Sequence, residues 1–345
     1  MTAPAAPRSD EELDALLSAP GAATVAALAR VPGDIIVLGA GGKMGPTLAR
    51  MAVRASAKAG GAPRRVIAVS RFSAGSAAAD LERAGVETVS CDLLDRDAVA
   101  RLPDAPNVVF MAGQKFGTHD APSRTWMMNV VVPAICAERY SASRTVVFST
   151  GNVYPLTPVN AGGARERDAT APIGEYAETC VGRERVFEHF AAARGTKSAI
   201  VRLNYAIGLR YGVLTDLALK IAGGVPIPLA MGHVNVIWQG DANRAALELL
   251  PRASSPPLVV NVTGGATLSV RALATALGTR LGREPRFDGT EAPDALLSNT
   301  NKMRSLLGEP ETPLDTMLDW VADWVREKRP LLGKATHFEA RDGRF

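Results

Sequence analysis

The chain has 345 residues, 47% of them apolar and 5% aromatic, and its 39 basic and 35 acidic side chains leave a formal charge of +4. That length suits one large α/β domain or two joined ones, with apolar residues enough for a sizeable core. The charges form no run of one sign and no apolar stretch reaches spanning length, so neither nucleic acid nor a membrane is implied as a partner.

Cys91, Cys136 and Cys180 share no metal-ligand spacing, and their odd number argues against a disulfide framework, so no metal site is expected. The first residues lack a basic stretch followed by an apolar one, which points away from secretion and toward the cytoplasm. Ser9-Asp10-Glu11-Glu12 has capping-box spacing and predicts a short helix to about Ser18, with Ser9 as cap and Glu12 reaching back. A second helix is predicted over Ala22–Arg30. Residues 1–32 thus form a helical extension, expected to serve packing or oligomer contacts outside the nucleotide fold.

Asp34–Arg50, DIIVLGAGGKMGPTLAR, is the most informative stretch. Ile35-Ile36-Val37-Leu38 is long enough for a buried strand and too short for a helix. Gly39, Gly42 and Gly45 follow, with Gly41 filling the alternative spacing and Lys43 and Met44 completing the turn, and then helix formers begin. Strand, glycine turn and helix are the parts of a dinucleotide-binding unit, in which bare backbone and a helix N-terminus face the pyrophosphate.

Arg65–Arg71 predicts the second strand, and the residues at its end meet the adenosine ribose. An acid there would bond the 2′-hydroxyl of NAD, but this chain has Ser70 and Arg71, which favours the 2′-phosphate of NADP. A charge-assisted contact of roughly 1.5–3 kcal/mol corresponds to about a ten- to hundredfold preference. NAD stays the alternative if Arg71 is only a solvated loop residue. Glu87–Leu93, Asn107–Gly113 and Thr145–Ser149 predict three further strands, with a helix over Trp126–Glu138. Strands alternating with helices imply α/β, a Rossmann-type doubly wound parallel sheet whose ligands bind beyond the strand carboxyl ends.

By the fifth strand the motif order resembles the extended short-chain dehydrogenase/reductase family, the NAD(P)-dependent epimerases and dehydratases, from about Asp34 to Trp324. The glycines match that family's turn, Asp92 and Leu93 its adenine-contacting element, Ala112 and Gly113 the turn after its fourth strand, and Asn129 an asparagine on the next helix. Phe148–Tyr154 looks like the segment carrying the active-site hydroxyl, which falls on Thr150. Arg202–Gly208, including Asn204, is similar to the stretch leading into the substrate lobe. The family's Tyr-x-x-x-Lys element matches Tyr176-Ala177-Glu178-Thr179-Cys180, so this chain is an atypical member with Cys180 in place of the lysine.

That lysine would lower the tyrosine pKa. A free phenol is only about 0.1% ionised at pH 7, and bringing its pKa to about 7 needs roughly 4 kcal/mol that a neutral cysteine does not supply. Replacement cations are Lys115, set between glycines in the loop after the fourth strand, and Arg183, read as a solvated charge. His119 is a further acid–base candidate. Cys180 is either a nucleophile or a small buried residue, and the latter reading is preferred because no thiolate-stabilising base lies beside it.

The resemblance implies a small substrate lobe over 205–330, with a strand near 258–263 returning to the domain at 33–204. Asn152, Asn204, Lys115, His233, Asn235 and Trp238 are the substrate candidates, and Asp241 is expected to cap a helix. Leu314–Arg326 has helical spacing; the polar tail at 331–345 receives no role. The implied activity is hydride transfer at a carbinol or carbonyl carbon of a sugar, sugar acid or sugar nucleotide, in a protein that can be a homodimer. The alternative is an NAD(P)-binding sensor or scaffold without turnover.

Overall fold

The computed structural model describes residues 5–73, 76–118 and 120–344. Helices α1 (Asp10–Leu17) and α2 (Ala22–Ala29) open the chain. The Ser9 hydroxyl accepts the Glu12 N–H at 3.2 Å, while the Glu12 carboxylate takes the N–H of Arg8 rather than that of Ser9. Then come β1 (Ile35–Leu38), α3 (Gly45–Ala59), β2 (Val66–Ser70), α4 (Ala77–Arg83), β3 (Glu87–Ser90), α5 (Arg96–Ala100) and β4 (Asn107–Phe110). The single helix expected over 126–138 is instead α6 (Pro122–Trp126) and α7 (Val132–Arg139), joined by a π-helical turn over Met127–Val131. Pro133 has no N–H for the Asn129 carbonyl four residues back, so the regular ladder is interrupted where the wider turn sits.

Next are β5 (Arg144–Thr150), α8 (Gly174–Arg194), β6 (Ser198–Leu203), α9 (Val213–Gly223), α10 (Gln239–Leu249), β7 (Leu258–Val262), α11 (Val270–Leu281), α12 (Asn301–Leu307) and α13 (Leu314–Arg326). Seven strands form one sheet in the order β7-β6-β5-β4-β1-β2-β3, and every pairing within it is parallel. The order reverses between β1 and β4, which is where such sheets open a ligand crevice.

Both faces of the sheet are buried, as parallel sheets require. Ile35, Val37, Val66, Ala68 and Val109 face a core shared with α3 and α10, while Ile36, Leu38, Ile67, Val69 and Phe110 face one shared with α7 and α8. A separate core in the lobe gathers α9, α11 and α13 around Trp238 and Trp320, whose ring centroids are 5.1 Å apart. The N-terminal helices are integral to both layers. Leu13 and Leu17 enter the lobe core and Leu28 the sheet core. Helix α10, expected in the lobe, buries Ala242, Ala246 and Leu249 against the sheet. Asp241 does not cap it: the helix begins two residues earlier, and the carboxylate pairs with Arg244 at 2.8 Å and accepts the Thr312 N–H at 2.9 Å.

A buried polar layer joins α8 to the sheet below the cleft. Arg202 and Glu184 pair at 2.6 Å with side chains 6% and 2% exposed. Ser149 donates to Glu184 at 2.6 Å, and Arg202 donates to the Tyr154 hydroxyl at 2.7 Å. Removing one partner strands a buried charge, so Arg202→Met is expected to cost about 3–5 kcal/mol. Urea unfolding measures this, and a loss below about 1 kcal/mol would show that the pair behaves as an exposed one.

Candidate active site

The glycine turn between β1 and α3 is shaped by close approaches. Gly39 has φ +88°, and a Cβ there would lie 2.5 Å from the Ala112 nitrogen; one on Gly45 would lie 2.3 Å from the Ala40 carbonyl oxygen. A Cβ on Gly41 would meet the Ser70 hydroxyl at 2.4 Å, whereas one on Gly42 would find only the Gly39 carbonyl oxygen, at 3.6 Å. Gly42 therefore presents bare backbone to open space. Met44, at the N-cap of α3, makes no side-chain capping bond, so the first helical N–H groups have no such partner. Gly41 through Gly45 line an open cleft. Bare backbone at a helix N-terminus fits the pyrophosphate of a dinucleotide.

The opposite wall holds the hydroxyl pair. Thr150 ends β5, and its hydroxyl accepts the Asn152 N–H at 3.2 Å. Tyr176 lies in the first turn of α8, beside Thr150 and Cys180. Burial and Cys180 push the phenol well above its ordinary range, while the Arg183 charge and the nearby Thr150 hydroxyl oppose them. Cys180 is fully buried among Val153, Tyr154 and Ala164, and burial raises its thiol pKa. It is a packing residue one turn from Tyr176, not a nucleophile poised as thiolate.

Arg183 corrects the solvated reading given above. It is 5% exposed and donates to the Phe148 carbonyl at 2.7 Å and to Asn129 Oδ1 at 2.9 Å. Asn129 also accepts the Gln114 N–H at 2.8 Å and donates to the Gln114 carbonyl and the Thr179 hydroxyl, both at 2.9 Å. The Asn129 amide is thus engaged by protein and shapes the loop after β4 instead of reaching into the cleft.

That loop carries Lys115, half-buried, with its ammonium 5.9 Å from the Tyr176 ring centroid. Burial lowers its pKa to about 8. The Lys43 ammonium sits over the Tyr211 ring at 3.1 Å and the Phe116 ring at 4.3 Å. Burial, then the charges of Lys115 and Lys334, lower its pKa to about 7.

The cleft brings together Gly39, Gly41, Gly42, Lys43, Met44, Gly45, Gly113, Lys115, Thr150, Asn152, Tyr176 and Asn204. It does not include every residue singled out by sequence. Trp238 is 1% exposed in the lobe core. Asn235 donates to the Ala266 carbonyl and accepts the Ser298 N–H, both at 2.8 Å. His233 pairs in a short strand with Ser269, away from the cleft lining. Ala112 is buried against Gly39 and Leu93 against the sheet. Arg71 and Asp92 are exposed at the ends of β2 and β3, where Asp92 accepts the Leu94 N–H at 3.1 Å. His119 lies outside the described residues. Among the described residues no His, Cys, Asp or Glu cluster is arranged to hold a metal, and no helix is long and apolar enough to cross a membrane. Sequence reasoning missed Lys334 and Thr336, which the tail returns to the cleft. The apolar Phe338 beside them, 1% exposed, was the available signal.

The NAD dependent epimerase/dehydratase family matches residues 35–247, and the chain belongs to it. No curated protein matches. Among solved structures, the Thermotoga maritima UDP-glucose 4-epimerase with UDP-glucose is similar at TM-score 0.71 and 21% identity, covering 86% of this chain and 99% of that one. The Streptomyces venezuelae dTDP-glucose 4,6-dehydratase with NAD bound gives TM-score 0.72 and 21% identity, covering 85% and 97%. An epimerase of Methanothermobacter thermautotrophicus gives 0.72 and 18%, covering 89% and 96%. These likenesses are of fold.

The two glycines at the cleft separate stability from binding. Gly42→Ala should keep the wild-type melting temperature and weaken NADPH binding by about tenfold or more, because its methyl enters the open space where a pyrophosphate would fit. Gly45→Ala should lower the melting temperature, since its methyl meets backbone. Calorimetry and nicotinamide fluorescence check both, and unchanged NADPH affinity in Gly42→Ala would contradict the assignment.

Proposed function

We propose that the chain is an NAD(P)-dependent enzyme that transfers hydride at a carbinol or carbonyl carbon of a sugar nucleotide, sugar or sugar acid. One juxtaposition carries this reading. Thr150 and Tyr176 line the same cleft as a bare glycine turn, with the Lys115 ammonium near the phenol ring. The residues of that turn, Gly41 to Gly45, would hold the pyrophosphate, and the bound nicotinamide would supply the hydride acceptor or donor. The epimerase and dehydratase neighbours, with UDP-glucose in one and NAD in another, support the substrate class and the cofactor. Exposed Arg71, with no acid at that strand end, supports NADP over NAD.

The chain's own residues then do three things. Thr150 and Tyr176 hold the reacting oxygen, and Tyr176 exchanges a proton with it. Lys115 and Arg183 supply the positive charge that the chain lacks at position 180. Asn204, 2% exposed and donating to the Leu296 carbonyl at 3.3 Å, fixes the wall beside Thr150. A sensor or scaffold is not favoured, because binding alone does not call for a hydroxyl pair flanked by two cations.

The test is a screen of sugar nucleotides and sugar acids with NADPH- and NADH-loaded protein, followed by variants on the substrate found. Tyr176→Phe should lower kcat by about 10²-fold or more with cofactor affinity intact. Wild-type turnover should fall above pH about 8, as Lys115 loses its proton. Among the described residues, the groups around Lys115 include Tyr176, Phe116, Lys43, Cys180 and Asp216. Lys115→Arg, which stays charged, should move that limb upward. Tyr176→Phe turning over as wild type would overturn the proposal.

A further inference from the structure

The charged residues lining the cleft are Lys43, Lys115 and Lys334, and no acid is among the described lining residues. Each lysine arrives from a different element: the glycine turn, the loop after β4 and the C-terminal tail. Although Lys43 belongs to the glycine turn, its ammonium is turned onto the rings of Tyr211, which leads into lobe helix α9, and Phe116. It therefore sits on the lobe side of the pyrophosphate cradle. Lys43 feels both other ammonium groups as repulsive neighbours. Asp216 is the acid in reach, and its carboxylate already accepts the Thr336 N–H at 2.7 Å and the Thr336 hydroxyl at 2.5 Å.

Lys334 is held in place by anchors on both sides. The Leu332 N–H donates to the Arg210 carbonyl at 3.0 Å, and Thr336 is fastened to Asp216. Phe338 is 1% exposed in the lobe core, and Arg341 donates to the Asp294 carbonyl at 2.9 Å. Gly343 then packs on Ile173 and Gly174, at the start of the helix that carries Tyr176. The tail is thus a wall of the cleft, stretched from the lobe to α8.

We propose that Lys43, Lys115 and Lys334 form a subsite for an anionic group carried by the substrate, a carboxylate or a phosphate, next to the Thr150–Tyr176 pair. Lys43 faces two like charges, Lys115 and Lys334, on a wall whose described lining holds no acid, and an anion there relieves that repulsion. The subsite rests on the oxidoreductase reading above and narrows its substrates to acids or phosphate esters.

The experiment uses full-length protein saturated with NADPH, so that the dinucleotide cradle is filled, and titrates inorganic phosphate and malonate by calorimetry at low salt. One or both should bind with one site per chain. Lys334→Met and Lys43→Met should each weaken that binding at least about fivefold, as expected for a lost charge-assisted contact. Lys334→Arg should restore it, which a merely structural role for the tail would not require. Phosphate binding alone names a phosphate ester and malonate binding alone an acid. With NADPH bound normally, no anion binding, or binding indifferent to both methionine variants, overturns the subsite only. Failure of both NADPH and NADH to bind overturns the oxidoreductase reading and the subsite with it.

Discussion

A guanidinium buried beneath the cleft is the interaction on which the site depends. Arg183 ties the end of β5, through the Phe148 carbonyl, to the π-helical turn, through Asn129. Asn129 in turn clamps both backbone groups of Gln114. One side chain therefore fixes the strand end carrying Thr150, the helix carrying Tyr176 and the loop carrying Lys115. A buried cation without such partners would be costly to hold, and here two oxygens and the sequence spacing of α8 keep it in place. The fit is close, because a Cβ on Gly113 would come within 2.4 Å of the guanidinium.

This arrangement explains how position 180 can be a cysteine. The residue one turn from Tyr176 packs into a small apolar cluster, so it contributes volume and no charge. Arg183, a further turn along, brings a charge that favours the phenolate from below. The Lys115 ammonium lies on the cleft side, 5.9 Å from the ring centroid, and burial lowers its pKa to about 8. Fixed and titratable charges are thereby separated onto different elements. A lysine that titrates near pH 8 can also change state when a ligand arrives, which a guanidinium does not do.

Much of the fold was legible because buried parallel strands and amphipathic helices leave strong local signals. The run at 35–38 and the helix at 314–326 appear where their patterns place them. The glycine turn was legible for the same reason, since bare backbone at fixed spacing has few other causes. What escaped was non-local. Arg183 reads as a surface charge until Asn129 and Phe148 are folded against it. Trp238 reads as a ligand contact until Trp320, more than eighty residues later, is stacked on it. Asp241 looked like a cap because a polar residue precedes a helical pattern, yet Arg244 and Thr312 claim its oxygens. The tail's part in the cleft depends on Asp216, which no local pattern connects to Thr336.

The most direct measurement is a crystal structure of the full-length protein with NADP(H) bound, read for the cation nearest the Tyr176 hydroxyl. The account places the Lys115 ammonium within hydrogen-bonding distance of that hydroxyl or of the ribose beside it, with Arg183 still donating to Phe148 and Asn129. Lys115 turned out to solvent, with the cofactor in place and no other lysine at the phenol, would contradict it.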